Sequence, residues 1–277
     1  MAAKAGAKVA PRRRAAAAAG PRLARKPGPA AATRTPAAVA PGNVLARVVA
    51  LGNATAAQFA QRFFKTGEGQ YGAGDRFLGI RAPALRALAR DLRDAGLEVA
   101  LPLLKSSWHE ARALGLMLLV KTYQRGDEGT RKKIYQLYLK STSLINNWDL
   151  VDLSAEHIVG AWLGDKPAER KRVLTRLAKS GSLWERRIAV LATFYYIKRG
   201  DYTETLRIAE LLLKDEEDLI QKAVGWMLRE VGKRIGEDKE ESFLKRHYRQ
   251  MPRTMLRYAI ERFPEPKRKR YLAGRIR

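Results

Sequence analysis

From about residue 43 onward, apolar residues recur at intervals of three and four, and Gly, Pro, Ser and Asp punctuate the runs. That spacing places the apolar side chains on one face of an α-helix. It predicts helices near 44–51 and 54–66, a loop from Gly67 to Arg81, and a helix that Pro83 opens in its first turn and that ends near Ala95 and Gly96. Further helices are expected near 97–104, 108–125, 128–140, 147–163, 167–179, 183–199, 202–214, 217–235, 238–248, 252–262 and 264–272. No stretch keeps a period of two, so the fold class is all-α.

The helices repeat. Trp108 to Arg112, Trp148 to Asp152, Trp184 to Arg187 and Ile220 to Ala223 each open a long apolar helix after a polar turn, at intervals of 40, 36 and 36 residues. Two helices per roughly 40 residues is the period of HEAT-type repeats, in which neighbouring units bury each other's apolar faces. The expected architecture is a HEAT-like solenoid of paired antiparallel helices, with the starts of equivalent helices lining a concave, basic face.

Composition adds a partner to this picture. The chain has 54 Lys and Arg against 28 Asp and Glu, a net charge of +26. Residues 1–42 are Ala, Pro, Gly, Arg and Lys almost throughout and hold nine of the cations and no acid. Such a segment cannot bury enough surface to offset its ordering entropy, so it is expected to be a disordered basic tail, either a solvated extension or an arm that contacts phosphates. The folded domain would then be 43–277, and 26 less those nine leaves it at +17. A surplus of this size favours a polyanionic partner, and the absence of a long apolar segment favours nucleic acid over a membrane. With no cysteine, disulfides, zinc-thiolate sites and thiol nucleophiles are excluded. His109, His157 and His247 lie far apart and form no HxxxH pair, so no metal or other cofactor is expected.

Within this basic chain, the stretch from Asn146 to Asp152 stands out because it carries an indole and two carboxylates. Trp148 and Asp152 stand four residues apart, which puts them on one helix face. Stacking the repeats would bring Trp148, Asp152, Arg187, Trp226 and Arg229 to one concavity. Each residue also has a plainer reading. A tryptophan taken singly is more often core, and Asp152 is as easily an N-terminal helix charge or one half of a structural ion pair. Arg187 and Arg229 would be surface charges or salt-bridge partners, with Glu156 and Glu230 well placed to pair with them.

Residues 44–262 resemble the DNA alkylation repair glycosylases of the AlkD family. The resemblance rests on Phe77 to Pro83 (FLGIRAP), Trp148 to Asp152 (WDLVD), Leu183 to Arg187 (LWERR) and Ile220 to Glu230 (IQKAVGWMLRE). It implies that Asp152 is the catalytic aspartate, that Trp148 and Trp226 flank the lesion nucleotide, and that Arg187, Arg229, Arg81 and, more loosely aligned, Tyr71 contact DNA. Arg81 stands where some members carry Gln, and Asn147 where a second Trp can precede Trp148. The implied protein is a monomeric, cofactor-free enzyme that removes N3- and N7-alkylated purines, such as 3-methyladenine and 7-methylguanine, from duplex DNA without flipping the base.

The residue types suit that chemistry. A purine alkylated at N3 or N7 is already cationic and a good leaving group, so the main requirement is an anion beside the sugar, where oxocarbenium-like charge develops. Asp152 would supply it and orient water, and Lys and Arg would hold phosphates. No lysine is identified as a Schiff-base nucleophile, so a monofunctional glycosylase is expected. The competing readings are a non-catalytic HEAT-repeat protein that binds duplex or damaged DNA, and a protein-binding scaffold. The combination of Asp152 with two tryptophans argues for the enzyme, and the +17 body argues against the scaffold. Without a secretion signal, the expected address is a bacterial cytoplasm, at the nucleoid.

Overall fold

The structure, a computed structural model, describes residues 40–276. The tail expected over 1–42 lies outside the described residues up to residue 39. The first helix, α1 (Pro41–Ala50), is followed by α2 (Ala54–Phe63) and a loop to Arg81. Next come α3 (Ala82–Asp91), α4 (Leu97–Leu104), α5 (His109–Arg125), α6 (Glu128–Lys140), α7 (Trp148–Ala155) and α8 (Pro167–Ala178). The remainder is α9 (Leu183–Ala192), the single turn α10 (Phe194–Ile197), α11 (Thr203–Leu211), α12 (Asp218–Arg234), α13 (Glu237–His247), α14 (Arg253–Ala259) and α15 (Glu265–Leu272). No strand occurs among the described residues; one isolated bridge joins Arg76 to Trp108. No described helix is long and apolar enough to cross a membrane.

Helix starts follow local chemistry. Asn53 and Asp127 cap α2 and α6 by accepting hydrogen bonds from the amides of Ala56 and Thr130, and prolines occupy the first turns of α3, α8 and α15. Two of the expected long helices are interrupted. The span 147–163 passes from α7 into a π turn over Glu156–Gly160. The span 183–199 breaks at Thr193, whose hydroxyl donates to the Val190 carbonyl at 2.7 Å and so competes with the helical ladder. The helix opened by Pro83 stops at Asp91, short of Ala95.

α5, α7, α9, α12 and α14 pack each on the next, while α4, α8 and α13 back α5, α9 and α12. This is the two-helix repeat that the 36- to 40-residue spacing predicts. Leu114, Leu116 and Leu119 of α5, Leu150 and Val151 of α7, Ile188 and Leu191 of α9, and Leu228 of α12 are buried along one continuous core. Each such leucine or isoleucine contributes about 1.5–3 kcal/mol by leaving water. At Gly225 in α12 a Cβ would collide with the backbone of Met255 and with Tyr258, so glycine there lets α14 close against α12 beside Trp226.

The FLGIRAP segment has a structural role. The Glu110 carboxylate at the start of α5 accepts hydrogen bonds from three successive amides, Leu78 at 2.9 Å, Gly79 at 2.7 Å and Ile80 at 3.1 Å. Gly79 sits at φ +79°, and a Cβ there would also strike the backbone of Asn53 and Ala57. The clamp fixes the loop that ends at Arg81 and, through Asn53, the start of α2. Glu110→Gln, which places an amide donor against a cluster of donors, is expected to lower unfolding free energy by about 2 kcal/mol in urea titrations while leaving the helical signal intact.

Candidate active site

The starts of the stacked helices enclose a cleft of about 560 Å³ lined by Trp148, Asp152, Arg187, Trp226, Arg229 and Tyr71. Six of the seven expected site residues therefore meet. The seventh, Arg81, is exposed at the N-cap of α3 and lines an adjoining cavity of about 770 Å³, which shares Trp148 as a wall.

Asp152 on α7 is held by Arg187 on α9. Arg187 Nε donates to Oδ1 at 2.9 Å and Nη2 to Oδ2 at 2.8 Å, while Nη1 donates to the Leu219 carbonyl at 2.6 Å. The Arg187 side chain is 6% exposed and that of Asp152 19%, so the carboxylate is the more open of the pair. The fork geometry fixes both oxygens. Burial pushes the Asp152 carboxyl above its ordinary value, and Arg187 opposes that shift by favouring the ionised form.

The structure replaces the ion pairs anticipated for these arginines. Arg187 pairs with Asp152 and Arg229 with Glu261, whereas Glu156 and Glu230 take Lys198 and Arg234. α7 packs directly on α9, which brings Asp152 and Arg187 face to face. All three guanidinium nitrogens of Arg187 donate within the protein, two to Asp152 and one to the Leu219 carbonyl.

Trp148 is anchored on one face only. The Phe64 ring stacks on it at 5.2 Å, Phe77 stacks on Phe64 at 4.8 Å, and Phe63 meets Trp148 edge-on at 6.1 Å. Tyr71 lies against Trp184 at 6.1 Å, with the Trp148 indole beside its phenol. Burial raises the Tyr71 phenol above its ordinary value against the pull of that indole and of Lys222. Trp226 leans on Phe194 at 5.9 Å. Trp108, the first member of the tryptophan repeat, lies outside the cleft under the Arg76 guanidinium.

Lys65, Lys222, Phe63 and Tyr258 also line the cleft, together with Glu217 and Asp218, and sequence reasoning missed them. The helical period offered a signal for Lys222, four residues before Trp226. It offered none for Lys65, which has φ +52° and whose carbonyl accepts from the Gly72 amide, so that the side chain leaves an irregular turn.

Beneath the cleft runs a buried charge network. His109 bonds to Asp75 through Nδ1 and to Asp149 through Nε2, both at 2.8 Å. Asp75 also accepts from Arg112 at 2.6 Å and from Asn147 at 3.2 Å. Burial alone would lower the His109 pKa, but Asp149 and Asp75 outweigh it and hold it up at about 9. Burial would raise Asp75, but His109 and Arg112 hold it down at about 2. Among the described residues, no three His, Cys, Asp or Glu side chains group so as to hold a metal ion.

Residues 44–263, which include every residue of the cleft, match the family of DNA alkylation repair enzymes. The fold is similar to that of a predicted DNA alkylation repair enzyme from Enterococcus faecalis, with a TM-score of 0.61 and 18% sequence identity over 77% of this chain and 97% of that one. At this identity the likeness is one of fold. No curated protein matches the chain.

The charge network sets a pH dependence of stability. With its pKa raised from 6.5 to about 9, His109 contributes stability that is complete below pH 6.5 and is lost as pH rises through about 9. With its pKa lowered from 3.8 to about 2, Asp75 contributes above pH 3.8 and is lost as pH falls through about 2. Between about pH 6.5 and 9.5 the unfolding free energy should therefore fall by on the order of 2–3 kcal/mol, and His109→Gln should flatten that slope.

Proposed function

The chain belongs to the family of DNA alkylation repair enzymes, and from that premise we propose that it is a monofunctional DNA glycosylase hydrolysing the N-glycosidic bond of N3- and N7-alkylated purines in duplex DNA. The observation that carries this reading is the Asp152 carboxylate, held in place by a buried arginine and facing a cleft walled by two tryptophans. A protein that only grips phosphates has no use for an immobilised anion there.

The mechanism follows from charge. The alkylated purine is positively charged before reaction and leaves as a neutral base, so the bond breaks with little proton donation. Positive charge then develops on the sugar, and an anion already fixed beside it needs no reorganisation to stabilise that charge. Asp152 supplies the anion and orients the attacking water. Arg187 acts on Asp152, keeping it ionised despite burial and fixing the direction of its free lone pairs. The exposed face of Trp148 and the ring of Trp226 attract the cationic nucleotide, by roughly 0.5–2 kcal/mol per contact.

Lys65, Lys222 and Arg229 surround the acid and meet the flanking phosphates. Lys222 and Arg229 exchange Asp218 and Glu261 for phosphate oxygens as they do so. The cleft is open, so reaction at the sugar from the groove, with the base left in the stack, suits it better than extrusion into a closed pocket.

Base release from methylated duplex DNA tests the proposal. Asp152→Asn should cut single-turnover release by on the order of 10²–10³-fold while duplex affinity stays within a few-fold. An Asp152→Asn protein as fast as wild type, or a wild type that binds and releases nothing, would refute it. Arg187→Gln should shift the acidic limb of the pH–rate profile upward, because the buried carboxylate then lacks the charge that holds its proton off. An unmoved acidic limb would deny Arg187 that role.

A further inference from the structure

Helix α2 carries two largely exposed phenylalanines. Phe59 is 64% exposed and Phe63 55%, they stand one turn apart with ring centroids 6.2 Å from each other, and no residue of α2 is buried. Phe63 touches Phe64 and Trp148 with part of its ring, but most of both side chains stays in water, an apolar surface that a partner can cover.

The position of the pair indicates the partner. Phe63 lines the cleft that holds Asp152, Phe59 lines the adjoining cavity, and Trp148 is a wall of both. The two rings therefore form a ridge on the lip between the cavities, leading outward from Trp148 in steps of 6.1 Å and 6.2 Å. Duplex DNA rises roughly 3.4 Å per step, so a nucleotide at Trp148 places its immediate neighbours in the strand against this ridge. Cations stand around it. Arg62 is on the same helical turn as Phe63, Lys65 follows at the helix end, and Arg81 and Arg86 line the cavity beside Phe59. An apolar ridge in a basic surround fits a partner that is polyanionic outside and offers flat apolar faces within. A second copy of a chain carrying +26 fits it poorly.

We propose that Phe59 and Phe63 form a wedge that enters the duplex at the base step beside the nucleotide held at Asp152 and Trp148, partly unstacking that step. Apolar side chains that enter between base pairs open the stack and bend the duplex, and aromatic rings compensate by stacking on the freed base. The wedge would act on the step flanking the lesion and leave the lesion itself in place. Sequences whose steps unstack readily, TA and CA/TG, would be favoured as lesion contexts. The inference rests on the reading of the cleft as a duplex DNA site and does not require base hydrolysis.

The test uses the full chain and a duplex carrying 2-aminopurine next to a tetrahydrofuran abasic analogue, which has no glycosidic bond to break. Binding is read by anisotropy and unstacking by 2-aminopurine fluorescence at saturating protein. The wild type should raise the fluorescence several-fold. The double variant Phe59→Ser, Phe63→Ser should keep its helical signal, since no residue of α2 is buried, bind on the order of tenfold more weakly and give little rise at saturation. A wild type that binds with unchanged fluorescence, or a double variant that gives the full rise, overturns the wedge while leaving the glycosylase reading intact. Absence of duplex binding by the wild type overturns both. A wild type that sediments as a dimer and a double variant that sediments as a monomer would assign the ridge to self-association instead.

Discussion

His109 begins α5 with its ring between two carboxylates, Asp75 from the loop and Asp149 from the first turn of α7, and that contact ties the loop, α5 and α7 together at the edge of the cleft. A buried carboxylate without a partner would be strongly destabilising, and so would a buried imidazolium. Together they satisfy one another, and Arg112 and Asn147 fill the remaining acceptor positions on Asp75. Because the partners come from a loop and two helices, the network cannot form unless all three are in register. Phe77 stacks on the His109 ring at 4.3 Å and passes that register through Phe64 to Trp148. The orientation of the site tryptophan is thus set by groups that never reach the cleft.

The same logic recurs along the stack, with arginine as the connector. Arg112, near the start of α5, reaches Asn146 in the turn before α7, and Arg187, near the start of α9, reaches the Leu219 carbonyl in the first turn of α12. Each ties one inner helix to the turn that opens the next. At Arg187 the device carries a second duty, because Asp152 stands in its path. A guanidinium suits this position and an ammonium would not. Its planar fork grips both carboxylate oxygens while a third nitrogen still serves the backbone.

The fold was legible because helical periodicity is local. The elements recur close to where apolar spacing places them, and the tryptophan-led repeat of 36 to 40 residues foretells which helices stack. Convergence of Trp148, Asp152, Arg187, Trp226 and Arg229 followed from that stacking alone. What the sequence concealed is non-local or irregular. Nothing in the spacing shows that Arg187 would be buried against Asp152, since the pair is made across helices 35 residues apart. Lys65 enters the cleft from a turn whose backbone is left-handed at that residue, and no period describes such a turn. Glu110, Asp75 and His109 look in sequence like ordinary surface residues of helix starts and a loop. Their burial depends on partners that periodicity cannot name.

A cleft that holds four cations, Lys65, Arg187, Lys222 and Arg229, would present a problem for the proposed reaction, which must stabilise a further positive charge. The field that attracts the phosphate backbone also disfavours positive charge anywhere nearby, including on a methylated purine and on the sugar it leaves behind. An exposed aspartate would not solve this, since solvent screens it and the surrounding cations would compete to neutralise it. Placing the carboxylate in the cleft wall, with Arg187 behind it bonded to both of its oxygens and to the Leu219 carbonyl, fixes the direction in which the negative charge points. Burial pushes the pKa of the acid up, which calls for a cation beside it that favours the ionised form. Arg187, whose sequence context reads as a phosphate contact, is placed to answer that requirement. On the proposed function, the phosphates are left to Lys65, Lys222 and Arg229, which line the same cleft.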